Sequence, residues 1–169
     1  MKLDAKEIDR LLDDITDRLR ELLEKTGKHD PLIIGIQTGG YWIAERLHQR
    51  LGQSVPLGQL NIAFYRDDFS RIGIHPHVTP SSLPFNVEGR HIILVDDVLH
   101  TGRTIRAAMN EIFDFGRPAS ITLVVLIERS GHDLPIRADI VGKSLALKPD
   151  EHAKLLGPER LALEIKKAE

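Results

Sequence analysis

The sequence predicts an α/β fold built on a mainly parallel central sheet flanked by helices. Three observations carry this. Continuous apolar runs bounded by turn residues, Pro31-Leu-Ile-Ile-Gly-Ile36, His91-Ile-Ile-Leu-Val95 and Ser120-Ile-Thr-Leu-Val-Val-Leu-Ile127, read as strands buried on both faces. Stretches with helical spacing of apolar residues alternate with those runs. The chain has 169 residues, 41% hydrophobic and 28% charged, which fits a single domain with a substantial core.

Residues 4–26 begin the order with an amphipathic helix. Ile8, Leu11, Leu12, Ile15, Leu19, Leu22 and Leu23 share one face, and Gly27 is a natural stop. The first strand follows at 31–36. Gln37-Thr-Gly-Gly40 makes a polar loop, and helical spacing returns from Tyr41 to Leu51. Residues 54–65 hold β-prone side chains and read as a second strand. Arg66 to Gly89 has a different texture, with Gly73, Pro76, Pro80, Ser81, Ser82 and Pro84, and reads as a long loop of the functional or disordered kind. Within it, Gly73, His75 and His77 make a small His cluster that reads as solvated loop, with no third metal ligand beside it. The strand 91–95 ends in Asp96-Asp97. Val98 to Thr104 links it to a helix from about Ile105 to Phe115, closed by Gly116 before Pro118. The strand 120–127 comes next. The tail, 129–169, holds short strand candidates at 139–141 and 161–165 and could cover the carboxyl edge of the sheet.

Composition removes several classes of function. Lys plus Arg is 23 and Asp plus Glu is 25, a formal net charge of −2, so the surface as a whole is not a polybasic nucleic-acid binder. Without cysteine there is no disulfide, thiolate nucleophile, Cys-ligated zinc or iron–sulfur cluster. No apolar run approaches the roughly 20 residues of a membrane span, and residues 1–14 lack the apolar core of a signal peptide. The expected compartment is the cytoplasm.

The chemistry concentrates in Ile92–Thr104, IILVDDVLHTGRT. A buried strand delivers two adjacent carboxylates to its carboxyl end, where open α/β sheets bind ligands. A Gly-containing turn flanked by Thr101 and Thr104 then opens a helix, whose first backbone N–H groups suit a phosphate. A ligand with a ribose between a phosphate and a second polar group would meet both features. Rival patterns lack their required residues. A nucleotide-binding P-loop needs Lys after its second Gly, where Tyr41 follows Gly40; a dinucleotide fold needs G-x-G-x-x-G after its first strand. A receiver domain carries its acid pair after the first strand, not past the middle of the chain.

The segment Ile92–Thr104 resembles the 5-phosphoribosyl-1-pyrophosphate (PRPP) motif of type I phosphoribosyltransferases. Ile36-Gln-Thr-Gly-Gly40, Phe64-Tyr-Arg-Asp-Asp68, Gly116-Arg-Pro-Ala-Ser120 and Leu134-Pro-Ile-Arg-Ala-Asp139 with Val141-Gly-Lys143 resemble one branch, the PyrR family of pyrimidine-operon regulators with uracil phosphoribosyltransferase activity. The match runs from about residue 30 to 145. It implies a single phosphoribosyltransferase domain over 1–169, with a small hood drawn mainly from 129–169 and the N-terminus. The implied reaction is uracil plus PRPP giving UMP plus pyrophosphate, with Mg²⁺. Asp96 and Asp97 would bind the ribose hydroxyls and touch Mg²⁺ through water. His100, Thr101, Gly102, Arg103 and Thr104 would hold the 5′-phosphate. Thr38, Gly39 and Gly40 would form the pyrophosphate loop. Tyr65, Arg66, Asp67 and Asp68 would open the mobile loop, with Arg66 facing the leaving group. Backbone groups near Val141 and Lys143 would read the uracil edge, and His100 could assist its deprotonation. A purine-base phosphoribosyltransferase is the alternative enzyme.

Regulators of this family bind a messenger RNA leader when a uridine nucleotide, UMP or UTP, is present, and family members are dimers or larger homo-oligomers. RNA binding needs local positive charge. Acids at 4, 7, 9, 13, 14, 17, 21 and 24 make the N-terminal helix a poor contact. The family's basic pair before Leu134-Pro-Ile-Arg137 stands here as His132-Asp133. Arg129, Arg137 and Lys143 are therefore the candidate RNA contacts. The alternative reading from another class is an RNA-binding attenuation regulator in which transferase activity carries little weight.

Overall fold

The computed structural model describes residues 1–52, 54, 56–62 and 81–168. Helix α1 spans Ala5–Thr26, α2 Gly39–Leu51 and α3 Arg103–Phe115. The strands are β1 (Lys2–Leu3), β2 (Leu32–Ile36), β3 (Gly58–Leu60), β4 (His91–Leu99), β5 (Ser120–Arg129), β6 (Ile140–Leu145), β7 (Glu151–Leu156) and β8 (Ala162–Lys167). Among the described residues no helix is long and apolar enough to cross a membrane.

Five strands form one parallel sheet in the order β3-β2-β4-β5-β6. Alternation along the strands divides the core between two faces. Ile33, Ile93, Val95, Val124 and Leu126 pack with α1 and α2 through Leu12, Ile15, Ile43 and Leu47. Ile34, Ile92, Leu94, Leu123 and Val125 pack with α3 through Ile105, Ala108 and Ile112. Both faces are thus covered by helices, which explains why the strands read as continuous apolar runs.

The second sheet is antiparallel and joins the two ends of the chain in the order β1-β8-β7. Its Leu3, Leu155 and Leu163 enter the same core as α1 and α2. We call this small sheet, which packs on the core that α1 and α2 share with the central sheet, the hood. Arg129 ties the two together: it is 5% exposed, and its guanidinium donates to the Glu151 carbonyl at 2.6 Å and the Lys148 carbonyl at 3.3 Å.

Local chemistry sets the helix ends. Asp4 caps α1 by accepting from the Glu7 amide at 2.9 Å, while Glu7 accepts from the Asp4 amide at 2.8 Å. The Gly27 N–H returns to the Glu24 and Leu23 carbonyls and ends the helix.

Several boundaries differ from the sequence expectation. β4 does not stop at Val95. It runs through the acid pair to Leu99, because the ten-residue β5 supplies ladder partners as far as Leu99↔Glu128. The stretch expected as a mobile loop over 66–89 is corrected at its end. Val87 is fully buried, Leu83 and Phe85 pack on the core, and Ser82 pairs with Gln59. Residues 66–80, including the His cluster, lie outside the described residues. Strand β7 was not expected.

Candidate active site

The carboxyl end of β4 sets the site. Asp96 is 3% exposed and Asp97 is half-buried beside it. Each carboxylate is held by the backbone. Asp96 Oδ1 accepts from the Asp97 amide at 2.9 Å, and Asp97 Oδ1 accepts from the Val98 amide at 2.8 Å. Such charge-assisted bonds fix orientation.

The loop after β2 comes up against this pair. A side chain could not stand at Gly39 or Gly40. A Cβ on Gly39 would run into the Asp97 carboxylate. One on Gly40 would lie 2.7 Å from the Val95 carbonyl oxygen and 2.9 Å from Asp96 Cα. The two glycines therefore let the start of α2 touch the acid pair. The Gln37–Thr38 peptide is cis. At the first turn of α2 the N–H groups of Gly39, Gly40 and Tyr41 have no partner within the helix, so they form a donor array for an anion.

The turn from β4 to α3 is a second donor array. Gly102 precedes the helix with φ +94°, a conformation that favours glycine. The Arg103 amide donates to Thr101 Oγ1 at 3.2 Å, and the Arg106 amide closes the first helical bond on the Gly102 carbonyl at 2.9 Å. Segment 132–136 braces this turn. The Asp133 and Leu134 amides both donate to the Thr101 carbonyl, at 3.1 and 3.0 Å, and Arg103 pairs with Asp133 at 3.6 Å.

Asp96, Asp97, Val98, Leu99, His100, Thr101, Gly102, Arg103, Thr104 and Ile105 line one cleft of about 490 Å³, together with His152 and Ala153 of β7. The sequence-predicted acids and phosphate turn are thus brought together. His100 also lines an adjoining cleft of about 380 Å³ with Arg129, Ser130, Gly131, Leu147 and Pro149. Burial is the main cause that moves the His100 pKa below the ordinary imidazole value. Arg129, His132 and His152 push the same way, and Asp133 opposes them.

Other expected residues are placed elsewhere. Val141 and Lys143 line neither of these clefts. The Val141 carbonyl accepts from the Arg18 guanidinium, and Lys143 points to solvent from the edge strand β6. Arg129 is corrected as an RNA contact, because its guanidinium is buried between sheet and hood. Arg137 is exposed at a separate cleft of about 550 Å³, lined also by Glu128, His132, Ile136 and Ser144. Tyr65, Arg66, Asp67 and Asp68 lie outside the described residues. Sequence reasoning missed His152 and Ala153. Their only local signal is a short alternation in Glu151–Leu156, which places Ala153 and Leu155 inward.

The family model "phosphoribosyl transferase domain" matches residues 4–153. The chain is 58% identical over 160 residues to the "bifunctional protein PyrR" of Nitrosococcus oceani, covering 94% of this chain and 90% of that one. It is 55% identical to the protein of the same name from Pseudomonas paraeruginosa, with 92% of each covered. Among solved structures it superimposes on the hypoxanthine phosphoribosyltransferase of Trypanosoma cruzi with a TM-score of 0.70 and 20% identity, over 99% of this chain and 95% of that one. At that identity the likeness concerns the fold.

Proposed function

The chain belongs to the PyrR family of phosphoribosyltransferases, and from that premise we propose that it transfers the phosphoribosyl group of PRPP to uracil, releasing pyrophosphate and forming UMP. The observation that carries this is the cleft lined by two adjacent carboxylates and the turn that opens α3, with Gly39 and Gly40 of α2 packed against the same carboxylates. Asp96 and Asp97 accept hydrogen bonds from the ribose hydroxyls and place negative charge beside the sugar as its anomeric carbon becomes cationic. The turn 100–104 holds the 5′-phosphate on backbone amides and Thr hydroxyls. The amides of Gly39 and Gly40, after Thr38, receive the pyrophosphate. Arg66 adds positive charge from the segment that begins at Tyr65, with Asp67 and Asp68 beside it.

The base enters the adjoining cleft between His100 and the hood residues Leu147 and Pro149. As the bond from the anomeric carbon to pyrophosphate breaks, uracil N1 bonds to that carbon and its proton leaves. A neutral His100 imidazole can accept it.

The donor set suits Mg²⁺. Asp96 and Asp97 offer hard oxygens, and among the described residues no group of three or more His, Cys, Asp or Glu is placed to hold an ion. Mg²⁺ keeps several waters and takes few protein carboxylates beside substrate phosphates. Asp96 and Asp97 would hold its waters, and the bound ion would offset charge on the departing pyrophosphate.

The regulatory half of the family's activity rests here on exposed Arg137 and Lys143, which supply the positive charge for a messenger RNA leader in the presence of UMP or UTP. The reading places the chain in the cytoplasm as a homo-oligomer, a dimer or larger. Retention of leader RNA at several salt concentrations, with and without UMP, tests the regulatory half. Labelled uracil incubated with PRPP and Mg²⁺, with hypoxanthine and guanine as parallel substrates, tests the transferase. Uracil should be consumed and the purines left; the reverse preference would overturn the assignment.

His100 carries a further expectation. Its proton affinity is lowered in the folded chain, so the neutral ring is favoured there. The stability linked to it is in place above the ordinary imidazole range and is lost as pH falls through the lowered value. An NMR titration should give a His100 midpoint below 6.5. A midpoint at or above that value would contradict the lowered proton affinity of His100.

A further inference from the structure

The hood strand β7 places an imidazole on the cleft that the phosphate turn also lines. Ala153 and Leu155 are the side chains of β7 that join the core. His152 alternates with them, is exposed, and lines the same cleft as Asp96, Asp97 and the turn 100–104. Packing does not account for it. It is also near enough to His100, on the lining of the same cleft, to contribute to that residue's lowered proton affinity. The anchoring of β7 is firm, because buried Arg129 holds the Glu151 carbonyl, the residue before His152, at 2.6 Å. The rest of the lining presents backbone donors and Arg103 but also two carboxylates. A ligand with phosphates entering there brings negative charge that the carboxylates oppose, and a cation on the open side would offset it.

We propose that His152 is a substrate-contacting residue that donates from its imidazole to a phosphate of the phosphoribosyl ligand, closing the cleft from the hood side. This rests on the phosphoribosyl-transfer reading and adds a residue to it. The contact is made by a group exposed on an edge strand, fixed through its backbone rather than its side chain. It therefore contributes to ligand affinity more than to the bond-breaking step.

Steady-state kinetics of the full chain and calorimetric binding test this with His152→Ala and His152→Lys, and with Lys154→Ala as a control on the exposed side of β7. The Ala variant should raise the PRPP KM roughly tenfold, the size of one charge-assisted hydrogen bond, with kcat nearly unchanged. The Lys variant should recover most of the loss, and Lys154→Ala should behave as wild type. UMP and inorganic pyrophosphate identify the phosphate: weaker binding of UMP assigns the 5′-phosphate, and weaker binding of pyrophosphate assigns the leaving group. Unchanged affinity of His152→Ala for both would overturn the proposal, as would failure of Lys to rescue in a variant with an unchanged melting temperature. If wild type binds UMP but does not consume uracil, the transferase reading fails while these affinities still decide the role of His152.

Discussion

Replacing Asp96 and Asp97 together by Asn should lower uracil transfer by about 10³-fold while the folded structure persists, as measured by labelled UMP formation and by circular dichroism. Asn keeps the shape of Asp and an acceptor oxygen, so the bonds from the Asp97 and Val98 amides can survive. What disappears is negative charge in a largely desolvated position, since Asp96 is only 3% exposed. The sugar then loses its electrostatic partner at the point where positive charge develops, and Mg²⁺ loses the carboxylates that would hold its waters. Full activity in a folded double variant would remove the acid pair from the reaction.

Gly40→Ala should damage both stability and activity. The added Cβ would meet the Val95 carbonyl oxygen at 2.7 Å and Asp96 Cα at 2.9 Å, both backbone atoms of the central strand. Neither can swing aside as a side chain would. Either α2 withdraws or β4 shifts, and overpacking of this kind costs about 1–3 kcal/mol. Withdrawal also moves the Gly39 and Gly40 amides away from the acids. Misplacement by about 1 Å can cost about 10²-fold in rate. Denaturant titration and kcat measured on the same preparation check the two effects. Wild-type activity with wild-type stability would mean that the contact between α2 and β4 does not shape the site.

The parts of this molecule that were legible in its sequence are those governed by local pattern. Helix α1 was readable because Ile8, Leu12, Ile15 and Leu19 repeat at helical spacing, and all four are fully buried. β2, β4 and β5 were readable because burial on both faces leaves uninterrupted apolar runs. The acid pair and the Thr101–Thr104 turn were readable because strand, acids, glycine and helix follow one another directly. Features that depend on distant partners were not readable. β1 is two residues long and exists through its pairing with β8. The burial of Arg129 depends on carbonyls of Lys148 and Glu151, about twenty residues further on. His152 gains its place only when the hood docks on the sheet. The pairing of β6 with β5, which leaves the Val141 carbonyl to Arg18 and Lys143 exposed, was likewise not readable.

The most direct measurement is the product balance of the purified full chain with PRPP, Mg²⁺ and labelled uracil. One molecule of UMP should appear for each pyrophosphate released and each uracil consumed, and pyrophosphate release should fall to background when uracil is omitted. Pyrophosphate release with hypoxanthine or guanine in place of uracil, and no UMP with uracil, would contradict uracil phosphoribosyl transfer as the activity of this site.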